Sequence, residues 1–412
     1  MTEEIKYSSF RWFILVTMVI SVATSSLSLI SPAPIIGDIL KAGSFPGMNA
    51  GGVVLLTMSS FNLFVAIACI GGGFLLDRFG FFRVYIVGII FICAGELLVP
   101  VIGQTVWGMV VVRMLEGFGT GPVMSAGASI AATYFPYKER PMVNGFTGFS
   151  VMTGISVGLI LVPHIAASTG SWVSAMSNIW PIGILAVIMN IVVALGPKPP
   201  VVEETKLPVA SKSDLGAAFK LPVTYFLIGF VFLMSWIFQA YNDITPNYIT
   251  LAPPLGLGKS ASLMSFSTYS FMLAAIITGW VSMKFFKGNI KPHLVITFLL
   301  GGLMSWTMLL PSVYGNNGMF MGCLAMTTFF YGFVNPLSLG YVSQKYPQHV
   351  TGRLGGIAQG VGIVGGFVGP TVGATVLAIT NSYTIPIIIL GATNIVGCIV
   401  ALFAPIKGDN AK

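Results

Sequence analysis

Long apolar runs dictate what this chain can fold into. Twelve of them, each 20 residues or longer, lie near 11–36, 51–76, 83–102, 105–133, 141–167, 172–196, 221–250, 260–286, 292–311, 318–343, 353–380 and 383–405. About 20 apolar residues in a helix cross the ~30 Å hydrocarbon layer of a bilayer. Barrel strands would be about half that length and would alternate strictly, so a closed barrel is excluded. Of 412 residues, 55% are hydrophobic and only 8% charged, which leaves no room for a large soluble domain. The expected fold class is an all-α integral membrane protein with 12 transmembrane helices.

The excess of 20 basic over 12 acidic residues sits at the ends of the apolar runs, so it reports topology rather than nucleic-acid binding. With both termini cytoplasmic, seventeen Lys and Arg fall on that side and two, Lys41 and Lys259, on the other. A multi-pass protein of the cytoplasmic membrane with both termini inside is expected, its first run retained as a span rather than cleaved as a signal peptide. Cys69, Cys93, Cys323 and Cys398 lie inside apolar runs, and His164, His293 and His349 are far apart. Neither a disulfide framework nor a metal site is expected, and no cofactor.

One polar, Pro-rich stretch at 197–220 separates six runs (1–196) from six (221–412). Gly145, Gly154 and Gly158 recur 211 residues later as Gly356, Gly365 and Gly369, and Pro136 recurs as Pro347. Two pseudo-symmetric six-helix bundles joined by a cytoplasmic linker are therefore expected. Such duplicated halves suit a machine that rocks one bundle against the other.

The loop after the second run reads Gly73, three residues, Asp77, Arg78, Phe79, Gly80, Phe81, Phe82, Arg83. It resembles the signature of the major facilitator superfamily, with Phe82 where a base is usual. The resemblance implies a gating charge network of Asp77, Arg78 and Arg83. The second-half counterpart, from Gly279 through Lys287 and Gly288, keeps glycines and bases but lacks the acid. Arg113, Glu116 and Gly117 in the fourth run are similar to the family's second signature, with glutamate in place of glutamine. The resemblance covers essentially the whole chain and implies the major facilitator fold, alternating access and a monomer. No GxxxxGK[ST] phosphate loop is present, so transport would draw on an ion gradient or on exchange. Gly365, Gly369, Pro370 and Gly373 match the family's antiporter motif in spacing, but Leu159 follows Gly158 where the fifth span of antiporters has proline.

A charge near mid-membrane is costly and must face a cavity or a partner. Arg113 is such a charge, and the best anchor here for an anionic substrate group. Glu116, three residues along the same helix face, and Glu96, at similar depth in the antiparallel third run, are its candidate partners and proton carriers. A static buried ion pair is the competing account of the same residues. Further substrate contacts are expected from Ser25 and Ser28 in the first run and from Trp236 and Gln239 in the seventh. Tyr269 in the eighth, Tyr331 and Asn335 in the tenth and Gln359 in the eleventh complete that set. Asp243, nearer the outer end, is expected as a gate or proton site.

These features together imply a proton-coupled symporter or exchanger of a small organic anion, a carboxylate, embedded in the lipid bilayer. A proton-coupled exporter of lipophilic or cationic drugs and a non-transporting membrane receptor are the alternatives. No convergent nucleophile and base suggest an enzyme.

Overall fold

In the computed structural model, residues 8–125, 127–136, 139–197, 212–252, 255, 260–345 and 348–406 are described. Among them there are twelve helices of 16 residues or more and no strand. In the first half these are α1 (Arg11–Ile30), α2 (Ser60–Phe79), α3 (Phe81–Ile102), α4 (Val106–Ser125), α5 (Arg140–Thr169) and α6 (Trp180–Leu195). In the second they are α7 (Pro222–Leu251), α8 (Ser265–Phe286), α9 (Ile290–Thr307), α10 (Asn317–Lys345), α11 (Gln348–Thr380) and α12 (Thr384–Phe403). Among the described residues, ten helical segments are long and apolar enough to cross a membrane. The other two long helices are α4, which carries Arg113 and Glu116 inside its span, and α9, which begins with Lys291 and His293. The chain is a multi-pass membrane protein.

The chain divides into two compact units, Met1–Glu204 and Thr205–Lys412. Most of the polar connector lies outside the described residues, and Lys212–Phe219 forms a short helix. Within the first unit α1 packs on α4, α5 and α6, and α3 on α4 and α6, while α2 packs on α4. The second unit repeats this scheme: α7 packs on α10, α11 and α12, α9 on α10 and α12, and α8 on α10. The glycines that recur in sequence make the matching seams. Gly154 and Gly158 of α5 lie against Ala23, Ser26 and Ile30 of α1, and Gly365 and Gly369 of α11 lie against Phe232 and Trp236 of α7. No side chain larger than hydrogen fits between such closely approaching backbones.

Two local breaks shape the first unit. Pro32 and Pro34 follow α1 and turn it into a short 3₁₀ segment, Ala33–Ile35, because proline offers no N–H to continue the helical ladder. Ahead of α2, Leu55–Ser59 is wound as a π-helical turn, a widening that is rare in helices and clusters at functional sites.

Candidate functional site

Both breaks lead to Arg113. Its Nε donates to the Thr57 carbonyl in the π turn at 2.6 Å, Nη1 to the Ser28 carbonyl at 3.1 Å and Nη2 to the Leu29 carbonyl at 3.1 Å. Four residues after Ser28 stands Pro32, which has no N–H to give that carbonyl, so its donors are side chains: the Ser31 hydroxyl at 2.9 Å and the Arg113 guanidinium. Nη1 also donates to Glu116 Oε2 at 2.5 Å, and the Phe61 ring lies 4.3 Å from Cζ. Arg113 is fully buried. Its charge is met by a carboxylate, backbone dipoles and an aromatic face, a charge-assisted set strong enough to hold it at membrane depth.

Glu116 lies across α3 at a residue without a side chain: a methyl on Gly95 would stand 2.5 Å from Glu116 Cγ and 3.0 Å from the Val112 carbonyl oxygen. The next residue, Glu96, is buried and feels the charges of both Glu116 and Arg113. Its Oε2 has no hydrogen-bond partner, and neither has the buried Ser28 Oγ. The structure thus brings Arg113, Glu116, Glu96 and Ser28 to one place. Sequence reasoning paired Arg113 with the carboxylates but missed the three carbonyls, for which Ser31-Pro32-Ala33-Pro34 was the available signal.

Other hydroxyls of α1 are turned inward on their own helix: Ser25 Oγ donates to the Ser21 carbonyl at 3.1 Å, and Ser21 Oγ to that of Thr17 at 2.7 Å. Asn190 of α6 then donates to Ser21 Oγ at 2.8 Å. At the start of α1, Arg11 holds Glu139 in a two-pronged ion pair, with Nε–Oε2 at 3.0 Å and Nη2–Oε1 at 3.1 Å. Arg83 is exposed, and the side chains of Asp77, Arg78 and Gln359 lie outside the described residues.

In the second unit the residues expected at a site are divided. On α7, Gln239 Nε2 donates to the buried Asp243 at 2.9 Å, and Trp236 lies half-buried against Gly369. Tyr331 is buried among other partners: its hydroxyl meets Ser305 Oγ at 2.6 Å and Asn394 Nδ2 at 3.3 Å, and its ring stands edge-on to Tyr241. Asn335 is half-buried with its Oδ1 shielded and unpartnered. Tyr269 of α8 is 46% exposed.

The repeat extends into these polar cores. Gly117 of α4 packs on the Phe61 carbonyl, and Gly332 of α10, 215 residues on, packs on the Phe271 carbonyl. At the same spacing Thr328 stands for Arg113 and Tyr331 for Glu116. Thr328 Oγ1 donates to the Ser267 carbonyl at 2.6 Å, just as Arg113 does to that of Thr57. The second unit keeps the interhelical hydrogen bond and drops the charge.

Residues 13–370 match the sequence model of the Major Facilitator Superfamily. The chain belongs to that superfamily. Among its relatives, the nitrite extrusion protein of Bacillus subtilis is 25% identical over 76% of this chain and 75% of its own length. The cis,cis-muconate transport protein of Acinetobacter baylyi is 26% identical, covering 84% of each chain. The hexuronate transporter of Bacillus subtilis is 23% identical over 86% of this chain and 87% of its own length. The fold matches the crystal structure of a bacterial homologue of the human lysosomal transporter Spinster, inward-facing and unoccupied. The TM-score is 0.76 at 12% identity, over 97% of this chain and 98% of that one. As a superfamily member with relatives named as transporters, the chain is a transporter and not an enzyme.

Proposed function

We propose that this superfamily member moves a small organic anion, a carboxylate, across the cytoplasmic membrane by alternating access, in symport or exchange coupled to protons. The observation that carries this reading is the buried Arg113–Glu116 pair with Glu96 beside it. The relatives named for nitrite, muconate and hexuronate support an anionic substrate.

Nε, Nη1 and Nη2 of Arg113 already donate to three carbonyls and to Glu116, so an incoming anion has to displace one of these acceptors. An anion that reaches Arg113 takes the place of Glu116, and the Glu116 carboxylate is left beside Glu96 without its counter-charge. Uptake of a proton by this pair restores the charge balance, so anion arrival and proton arrival favour each other. Ser28 Oγ lies beside the Glu116 carboxylate and can turn to the anion once Glu116 is displaced. Arg113 is fully buried, so substrate access requires the ends of α1 and the π turn to loosen their hold on it.

Proteoliposome uptake of muconate and glucuronate under an imposed pH gradient tests the proposal. Accumulation should follow the gradient and collapse with a protonophore, Arg113→Ala should abolish it, and Glu96→Gln should keep anion exchange while losing the response to pH. Uptake of lipophilic cations without uptake of either carboxylate would overturn it.

A further inference from the structure

We propose that the exposed face of α8 and the lysines at its end form a binding site for one anionic phospholipid. Leu273, Ile276, Trp280 and Met283 are spaced alternately three and four residues apart, so their side chains share one helix face. They are 52%, 71%, 57% and 69% exposed, an unbroken row of large apolar side chains that no other described helix covers. Where the row ends, Lys284 Nζ rests 4.6 Å from the centre of the Trp280 ring, and Lys287 is exposed at the helix C-cap with φ of 52°. The ring fixes the first ammonium beside the apolar row instead of leaving it to sweep through solvent.

No described carboxylate pairs with either lysine. From residue 205 onward the chain has only three acidic residues, Asp214, Asp243 and Asp409, and none is in this loop. The equivalent loop of the first half carries Asp77 among its arginines. The second half has kept the bases and lost the acid, so at this loop an anion from outside the chain meets no competing carboxylate among the described residues. An apolar row continuous with two unpaired cations fits a molecule with acyl chains and an anionic phosphate head.

A second copy of the chain is the other occupant such a row could take. Copies inserted in the same direction would bring their Lys284 and Lys287 to the same depth, and like charges would meet across the contact. The lipid supplies the opposite charge at that depth.

The test is thermal unfolding of the delipidated, purified transporter with added dioleoyl-phosphatidylglycerol or dioleoyl-phosphatidylcholine, together with native mass spectrometry of retained lipid. Phosphatidylglycerol should raise the wild-type Tm by about 3 °C or more and remain bound one per chain, while phosphatidylcholine should do neither. Lys284→Gln/Lys287→Gln should lose both responses with its Tm in phosphatidylcholine unchanged, and Lys284→Arg/Lys287→Arg should keep them. Equal effects of the two lipids, or equal responses of wild type and the glutamine variant, would overturn the proposal. So would efficient disulfide cross-linking of Ile276→Cys between two copies in membranes. None of these outcomes depends on which solute is carried.

Discussion

Removing either charge of the Arg113–Glu116 pair leaves the other in a place with no water to solvate it. Arg113→Ala and Glu116→Gln should each destabilise the protein by about 3–5 kcal/mol, whereas Arg113→Met/Glu116→Leu should recover most of that loss without recovering transport. Thermal unfolding alongside uptake separates the two effects: full stability with no uptake in the double variant assigns the pair to function rather than packing. Gly95 allows a finer test. A methyl there meets Glu116 Cγ at 2.5 Å, so Gly95→Ala should cost about 1–3 kcal/mol and lower uptake by displacing the carboxylate. Gly322, with nothing within 4 Å of the same added methyl, is the control and should be neutral or slightly stabilised on going to Ala. A charge among apolar residues was legible in sequence, so Arg113 stood out at once. The carbonyls that hold it were less so: Pro32 and Pro34 mark where α1 loses backbone donors, but every residue contributes the same carbonyl and nothing in sequence singles out that of Thr57.

At the scale of one helix, the end of α1 is built to release carbonyls. Pro32→Ala would restore a donor to Ser28 and extend α1, drawing the Ser28 and Leu29 carbonyls away from Arg113. Removing a proline from a helix end ordinarily stabilises. Here Tm should fall and anion affinity should change with it, as measured by ligand-dependent thermal shift. A rise in Tm with unchanged affinity would mean that the carbonyls contribute nothing. Apolar runs marked a place for each of the twelve long helices, because membrane spans must satisfy every backbone group internally, but they read through the breaks that end α1 and α4 and precede α2 and α6. They gave no hint of the π turn at Leu55–Ser59, whose residues are as apolar as their neighbours. The hydroxyls of α1 are hard to read in sequence for a related reason. Serine in a membrane helix is as content on its own helix's carbonyl as on a ligand, and Ser25 takes its own helix.

Across the whole molecule, the two halves share a packing scheme but not a charge. Thr328→Val should therefore cost about 1–2 kcal/mol through the lost bond to Ser267 and leave anion affinity unchanged, where Arg113→Ala removes it. The duplication was visible in sequence through glycines, which mark where helices touch. The correspondence of Arg113 with Thr328 and of Glu116 with Tyr331 was not, since unlike side chains at equivalent positions leave no trace until the packing aligns them. That asymmetry bears on how the protein is made. A lone helix with an arginine near its centre inserts into lipid at a penalty of about 2.5–3.5 kcal/mol for that residue alone. The acceptors that relieve the penalty, Ser28, Leu29 and Thr57, belong to segments synthesised earlier. Newly made α4 must therefore enter the bilayer alongside its predecessors, which have to linger at the insertion site, while α10 with its threonine carries no such dependence.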